Sequence, residues 1–324
     1  VSTTSPTTHE PGHRGTPPLV SSRSPVPEIT AKVLLGFCAA VSLITTVGIV
    51  IVLFEEAITL FAIPGVSVVE FFTDTAWRPF TGPESEQFRL GVLPLLNSTL
   101  LITAIALLVA IPLGLASAIY LSEYARPGVR RTVKPILELL AGMPTIVLGY
   151  FALTLVTPVL RDLFGPERVP IFNAFSAGVV VGVLLVPTIA SISEDAMSAV
   201  PRDLRNGGYG LGASKRHVAL RIVFPAALSG IVSACLLAFG QAVGETMIVS
   251  VAAGNLPPAD IPTANPFQQV QTMTAYIVQA IGGEAPRGSV VYQSLFAVGA
   301  LLFVLTFTVN YIAMRLARRF REAY

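Results

Sequence analysis

Apolar positions fall in long unbroken blocks along this chain, and polar positions gather between them. Neither the alternation of a half-buried strand nor the repeat of a surface helix dominates. The blocks run over about residues 33–54, 95–121, 136–156, 175–192, 226–251 and 290–314. A helix crosses a bilayer with about 20 mostly apolar residues (range about 17–25). The pattern therefore predicts an all-α, polytopic membrane protein with six transmembrane helices. Residues 1–30, rich in Ser, Thr and Pro, read as a disordered tail, and residues 31–324 as one membrane domain. The first block exceeds the roughly 7–15 residues of a signal-peptide core, and no small-residue cleavage site follows it. It is expected to be a retained first span.

The intervening stretches set the orientation. Residues 55–91 carry Glu55, Glu56, Glu70, Asp74, Glu84 and Glu86 against Arg78 and Arg89. Pro64-Gly65, Pro79 and Gly82-Pro83 forbid a long helix there, leaving room for a short one near 68–72. Trp77 and Phe80 are expected at headgroup level. Arg126, Arg130, Arg131 and Lys134 follow the second block, Arg202, Arg205, Lys215, Arg216 and Arg221 the fourth, and Arg315, Arg318, Arg319 and Arg321 the sixth. Cytoplasmic loops carry the excess of Lys and Arg. Six spans with both termini in the cytoplasm satisfy every loop at once, as expected for a multi-pass protein of the plasma or inner membrane. Residues 254–289 form an outer loop with an amphipathic piece over 267–281.

Composition agrees and narrows the function. Hydrophobic residues make up 53% and charged residues 12% of the 324, about half the usual charged quarter of soluble domains. A net charge of +2 gives no footprint for nucleic acid. Cys38 and Cys235 both fall in apolar blocks and read as small buried hydrophobes. With three scattered histidines and two cysteines, no metal or catalytic constellation forms, and no cofactor is expected. No Gly-x-x-x-x-Gly-Lys-Ser/Thr loop occurs, so this chain is not expected to hydrolyse ATP. A channel or secondary transporter is the rival reading, but no inverted repeat is evident.

One stretch stands apart from the lipid-compatible remainder. Asn206-Gly-Gly-Tyr-Gly-Leu-Gly-Ala-Ser214, continuing to Ile222-Val-Phe-Pro225, is basic and glycine-rich between the fourth and fifth blocks. Pro201 suits the first residue of a helix, Gly212 a helix stop and Ser214 an N-cap. Two short helices joined near Gly212 are expected, with Pro225 opening the fifth span. Such a unit, set directly on a membrane helix, would serve as a lever at the cytoplasmic face.

Inside the spans the notable acid is Glu245. A carboxylate at the bilayer centre costs about 2.5–3.5 kcal/mol on insertion scales, so intramembrane acids tend to mark pathways. It lies about 30 Å of helix beyond Pro225, at about 1.5 Å per residue, which leaves a water-filled outer mouth as the alternative. Gln241 shares its helix face, and an unwound end around Gly244-Glu245-Thr246 would present backbone N–H groups to an anion. Asn97, Ser98 and Thr99 are either pathway groups or caps at the membrane surface. Glu138 is expected to pair with Lys134 four residues earlier.

The glycine-rich stretch resembles the "EAA" loop of ABC importer permeases, in which Glu-Ala-Ala precedes a Gly and Ile-x-Leu-Pro follows nine residues on. Here Gly212 is the Gly, Ala213 to Arg221 are the nine, and Ile222-Val223-Phe224-Pro225 closes the motif. Asn206-Gly207-Gly208 replaces Glu-Ala-Ala, and Phe224 replaces Leu. Further matches, at Gly91-Val-Leu-Pro94, Asn97-Ser-Thr99, Ala110-Ile-Pro-Leu-Gly114, Glu138-Leu-Leu-Ala-Gly-Met-Pro144 and Val243-Gly-Glu-Thr-Met247, extend the resemblance over about 33–315 to phosphate importer permeases of the PstC type. The resemblance implies a non-catalytic permease domain whose loop docks an ATPase through Asn206, Gly207, Gly208, Gly212, Ala213, Ser214, Ile222 and Pro225. It implies four partners besides membrane lipid: a second permease subunit (PstA-like), two ATPase subunits (PstB-like) and an extracytoplasmic phosphate-binding protein (PstS-like). It also implies an Arg where Gln241 stands, so Glu245 lacks the cation that the resemblance would place on its helix face. Permeases for other oxyanions, molybdate or sulfate, are the neighbouring alternative.

Overall fold

A computed structural model describes residues 25–140, 142–258, 261–283 and 285–319. Residues 1–24, the greater part of the expected tail, lie outside them. The chain divides into two units, up to Ile51 and from Val52 onward. Among the described residues, the first unit consists of most of helix α1 (Pro25–Thr59), which starts inside the expected tail. Its apolar side chains are exposed, as lipid-facing groups are, and Cys38 is exposed with them rather than buried.

The second unit begins with a small module ahead of the second span. A 3₁₀ turn (Leu60–Ala62), helix α2 (Val68–Thr73), strand β1 (Trp77–Arg78) and strand β2 (Arg89–Leu90) precede the second span. The strands pair antiparallel, with Trp77 opposite Leu90 and Arg78 opposite Arg89. Trp77 is not exposed at the surface of this module. It is buried against Phe71 and Tyr276, its ring meeting that of Tyr276 edge-on at 4.8 Å. An indole surface this large is better covered by two aromatic rings than left at an interface.

The membrane core is built on α3 (Leu93–Ile119), which continues as a π-helical turn to Tyr124, and on α7 (Ala174–Ser198). Gly178, Gly182 and Gly114 bring these two helices into backbone contact. A Cβ on Gly182 would lie 2.7 Å from the Ala106 carbonyl oxygen, and one on Gly178 2.7 Å from Ile105. Lipid gives apolar helices no hydrophobic reason to associate, so close van der Waals approach through small residues supplies the attraction. Ile102, Ala106, Ala110, Val181, Leu185 and Ile189 fill the seam.

Two expected spans are corrected. The third runs from Thr145 to Phe164, through α5 (Thr145–Phe151), a π-helical turn and α6 (Thr157–Phe164), not over 136–156. Residues 136–140 belong instead to α4 (Pro127–Leu140), an amphipathic helix whose apolar stripe imitated a span. Pro144, in extended backbone, separates the two. The fifth is broken. A helix over Lys215–Ala226 bends by 71° at Ala227 into α11 (Leu228–Gly244). The chain then unwinds at Glu245 before α12 (Met247–Ala252). Pro225 thus lies before the bend and does not open the span. Helix α13 (Met273–Gly282) is short, apolar and packed inside, and α14 (Val290–Arg319) is the last span. Among the described residues, five helices are long and apolar enough to cross a membrane, and six if the bent pair is one span.

Candidate functional site

Two regions hold the residues of interest. The first is the segment between α7 and α11. After Pro201, which precedes the helix rather than opening it, α8 (Arg202–Gly210) runs to Gly212, where φ is +80°. Glycine takes that left-handed conformation without Cβ strain. Ser214 then caps α9 (Lys215–Val218), its hydroxyl oxygen accepting from the His217 N–H at 3.4 Å. A π-helical turn (Ala219–Val223) and α10 (Phe224–Ala226) lead to the bend. Gly208 explains one departure from the Glu-Ala-Ala pattern. A Cβ there would lie 2.6 Å from the Ile222 Cδ1, so its absence lets α8 seat on the second helix. Asn206, Gly207, Gly212 and Ser214 are exposed, and Ala213 is half-buried. Leu211, at the tip, is 91% exposed, and Tyr209 beside it is also open.

This segment is anchored by charge. Arg205 donates to the Glu123 Oε1 at 3.0 Å and to the carbonyls of Met197 (2.7 Å) and Val200. It thereby satisfies carbonyls at the end of α7 and favours that helix dipole. Next to it, the fully buried Glu194 carboxylate pairs with Arg130 and with Lys134 (3.0 Å), and accepts from the Ser198 hydroxyl at 2.8 Å. Lys134 also pairs with Asp195. Its expected partner Glu138 is not the one it finds, because α4 lies against α7 and places Lys134 between two acids. Burial alone would lower the Lys134 pKa, but the hydrogen bonds its ammonium donates to Asp195 and Glu194, with their charges, outweigh it and raise the value. The ammonium stays charged and pins α4 to α7. No sequence periodicity pointed to Glu194, because its charged partners come from another helix. The basic run within α4 was the only available signal.

The second region is a cavity of about 330 Å³ lined by Thr145, Val181, Leu184, Leu185, Thr188, Gln241, Gly244 and Glu245. The structure brings Gln241 and Glu245 together as expected. Glu245 is half-buried, and its Oε1 accepts from the Ile248 N–H at 3.2 Å. Its carbonyl accepts from the Thr274 hydroxyl at 2.8 Å. The carboxylate thus caps the half-helix after the break, where the exposed N–H groups and the dipole favour a negative charge. Thr246 turns its hydroxyl to the Gly244 carbonyl at 3.1 Å and does not line the cavity. Asn97 and Thr99 do not reach it either. Asn97 donates to the Thr263 carbonyl at 3.1 Å, and the buried Thr99 hydroxyl accepts from the Met273 N–H at 3.1 Å. They hold the segment after α12 and the start of α13 onto α3. Among the described residues no group of three or more His, Cys, Asp or Glu could hold a metal ion.

Comparison with known proteins follows the same outline. A probable ABC transporter permease protein, YqgH of Bacillus subtilis, is 32% identical over 89% of this chain and 91% of its own length. The phosphate transport system permease protein PstC of Mesorhizobium japonicum is 32% identical over 77% of this chain and 79% of its own. A crystal structure of a bacterial ABC transporter involved in the import of the acidic polysaccharide alginate shares the fold, with TM-score 0.57 at 19% identity, over 91% of this chain and 99% of that one. Residues 110–322, which contain the glycine-rich segment, the bend and the cavity, match the binding-protein-dependent transport system inner membrane component family. With that match over most of its length and relatives of the PstC type, the chain belongs to this family of ABC transporter permeases.

Proposed function

We propose that this chain is a non-catalytic permease subunit of an ATP-driven phosphate importer, taking phosphate from an extracytoplasmic binding protein. The observation that carries the reading is mechanical. An exposed pair of short helices, hinged at Gly212 and tied to α3 and α7 through Arg205, runs through the 71° bend directly into the helix that ends at the Gln241–Glu245 cavity. Force applied at Tyr209 and Leu211 by an ATPase subunit is delivered to the cavity without passing through a flexible loop. Phosphate as cargo is supported by the PstC-type relatives, which carry that substrate in their names. The partners are a second, PstA-like permease, two PstB-like ATPases and a PstS-like binding protein, with both termini in the cytoplasm.

Within this reading Glu245 and Gln241 gate the cavity. A carboxylate repels phosphate, so Glu245, engaged as the cap of α12, acts as a barrier in the resting state. Movement of α11 relative to α12 changes that engagement. The second permease subunit supplies the cation that Gln241 does not.

The test is uptake of radiolabelled phosphate in cells lacking this subunit, with and without the gene, under phosphate limitation. Restored uptake that resists sulfate and molybdate and stops on ATP depletion is expected. Uptake of another oxyanion instead keeps the architecture and moves the substrate. Uptake that survives ATP depletion overturns the coupling.

A further inference from the structure

The break between α11 and α12 is held from another helix. In a continuous helix the Glu245 carbonyl would take the Val249 N–H, four residues on. Here Glu245 is extended, with φ −65° and ψ 130°, and α12 begins only at Met247. The Thr274 hydroxyl of α13 takes the carbonyl instead, at 2.8 Å. Thr274 and Thr272 are both buried, and their hydroxyl oxygens lie 3.1 Å apart. Thr272 also caps α13, its oxygen accepting from the Ala275 N–H at 3.2 Å. A hydroxyl has one hydrogen to donate. Thr274 gives its own to Glu245, so the bond between the two threonines runs from Thr272 to Thr274. The three bonds therefore point one way, from the N-terminal end of α13 to the break, and each polarises the next. The positive end of the α13 dipole stands behind them.

The residue held in this way is the one whose carboxylate caps α12 at the Ile248 N–H and lines the Gln241 cavity. Thr274 thus fixes the backbone from which the Glu245 side chain departs. The start of α13 is clamped on its other side to the module ahead of the second span. The fully buried Tyr276 ring meets Trp77 edge-on at 4.8 Å and lies 6.2 Å from Phe80. Its hydroxyl shares a hydrogen bond of 2.6 Å with Ser294 of α14. Residues 274 and 276 are about 200° apart around α13, at about 3.6 residues per turn. One face of the same helical turn therefore meets the module and the other meets the break. Packed interiors transmit a shift because they are too dense to absorb it. A displacement of the module against Tyr276 moves the Thr274 hydroxyl relative to the Glu245 carbonyl.

We propose that Thr274 is the positioning residue of the Glu245 gate, and that α13 carries to it the arrival of the binding protein at the module ahead of the second span. The proposal rests on the importer reading above, in which both termini are cytoplasmic and the module faces the binding protein. The full permease–ATPase complex in lipid nanodiscs is compared as wild type, Thr274→Val and Thr274→Ser. Valine keeps the branched shape without a hydrogen to donate, and serine keeps the donor. Thr274→Ala, smaller and equally without a donor, takes the place of the valine variant if that one does not assemble. Hydrogen exchange is read at the Ile248 amide, and ATP hydrolysis with and without the phosphate-loaded binding protein. In Thr274→Val, Ile248 exchange should rise about tenfold, from leaving the carbonyl without its donor. Stimulation by the binding protein should fall below half, with hydrolysis in its absence unchanged. Thr274→Ser should retain both wild-type values. Thr99→Val loses the bond from the Met273 N–H of the same helix and should leave Ile248 exchange in place. Unchanged or slower Ile248 exchange in Thr274→Val overturns the positioning role. Faster exchange with full stimulation overturns the relay. Equal loss of hydrolysis with and without the binding protein, or a serine variant that behaves as valine, overturns the proposal in favour of general destabilisation. A wild-type complex without stimulation removes the importer reading itself, while Ile248 exchange still decides what Thr274 does.

Discussion

Replacing Gly182 with Ala tests the packing on which the membrane core depends. The added Cβ would stand 2.7 Å from the Ala106 carbonyl oxygen and 2.8 Å from the Val109 Cβ. Neither is the end of a flexible side chain. Helix α7 must therefore withdraw from α3 by about 0.7 Å to restore ordinary contact, and a gap of about 0.5–1 Å forfeits a quarter to a half of each neighbouring dispersion well. Overpacking of this kind costs about 1–3 kcal/mol, while the helix gains about 1 kcal/mol from losing a glycine. The net expectation is a loss of up to about 2 kcal/mol, or up to roughly 8 °C in Tm at about 2–4 °C per kcal/mol. Gly240→Ala is the control, because nothing lies within 4 Å of a Cβ there. Only the propensity gain remains, so its Tm should be unchanged or raised. Thermal unfolding of both variants in nanodiscs decides the matter. A Gly182→Ala protein melting at or above the Gly240→Ala protein would refute the close-packed seam.

Four further outcomes are expected. Glu194→Ala should cost about 2–3 kcal/mol, below the usual 3–5 for a broken buried pair, because Arg130 and Lys134 side chains are 40% and 24% exposed and solvent relieves them; a Tm within a degree of wild type would speak against the network. The raised Lys134 pKa means its pairing stabilises the fold fully below the unfolded value of 10.5 and is lost only as pH rises through the folded value; that contribution, read as the Tm difference between wild type and Lys134→Met, should stay flat from pH 7 to 9. Gly212→Val forces a β-branched residue to φ +80° and should abolish ATPase co-purification while leaving membrane insertion intact, so normal co-purification would count against the hinge. Glu245→Gln keeps the cap on Ile248 and removes the charge, whereas Glu245→Ala removes both. Faster hydrogen exchange at the Ile248 amide in Ala but not in Gln is the signature, and equal exchange in the two would sink the capping role.

Much of the architecture was legible in the blocks of apolar residues. Helical spans need length and hydropathy, and both are local properties. The hinge was legible for a similar reason: positive φ at Gly212 and a cap at Ser214 are encoded by single residues. The third span misled because an amphipathic helix carries enough Ile and Leu over 136–140 to extend an apolar block, and only the end of α4 at Leu140 and the non-helical backbone at Pro144 separate the two. The burial of Trp77 was not legible, because an indole suits a membrane interface and an aromatic cluster alike and its neighbour Tyr276 lies far along the chain.

The sequence by itself determined that this chain lives in a bilayer, which loops are basic, where the lever hinges and which family motif it carries. Tertiary structure alone decided what the polar groups do. Lys134 has Glu138 within reach on its own helix, but α7, packed against α4, offers it the buried Glu194 and its neighbour Asp195. Glu245 could have been a bare charge in lipid. The break after Gly244 instead turns it into the cap of a half-helix, where N–H groups without helical partners lower the cost of the charge. Such pairings depend on which helices meet, and the meeting of α3 with α7 is set by glycines whose contribution is the absence of a side chain, which no hydropathy pattern records.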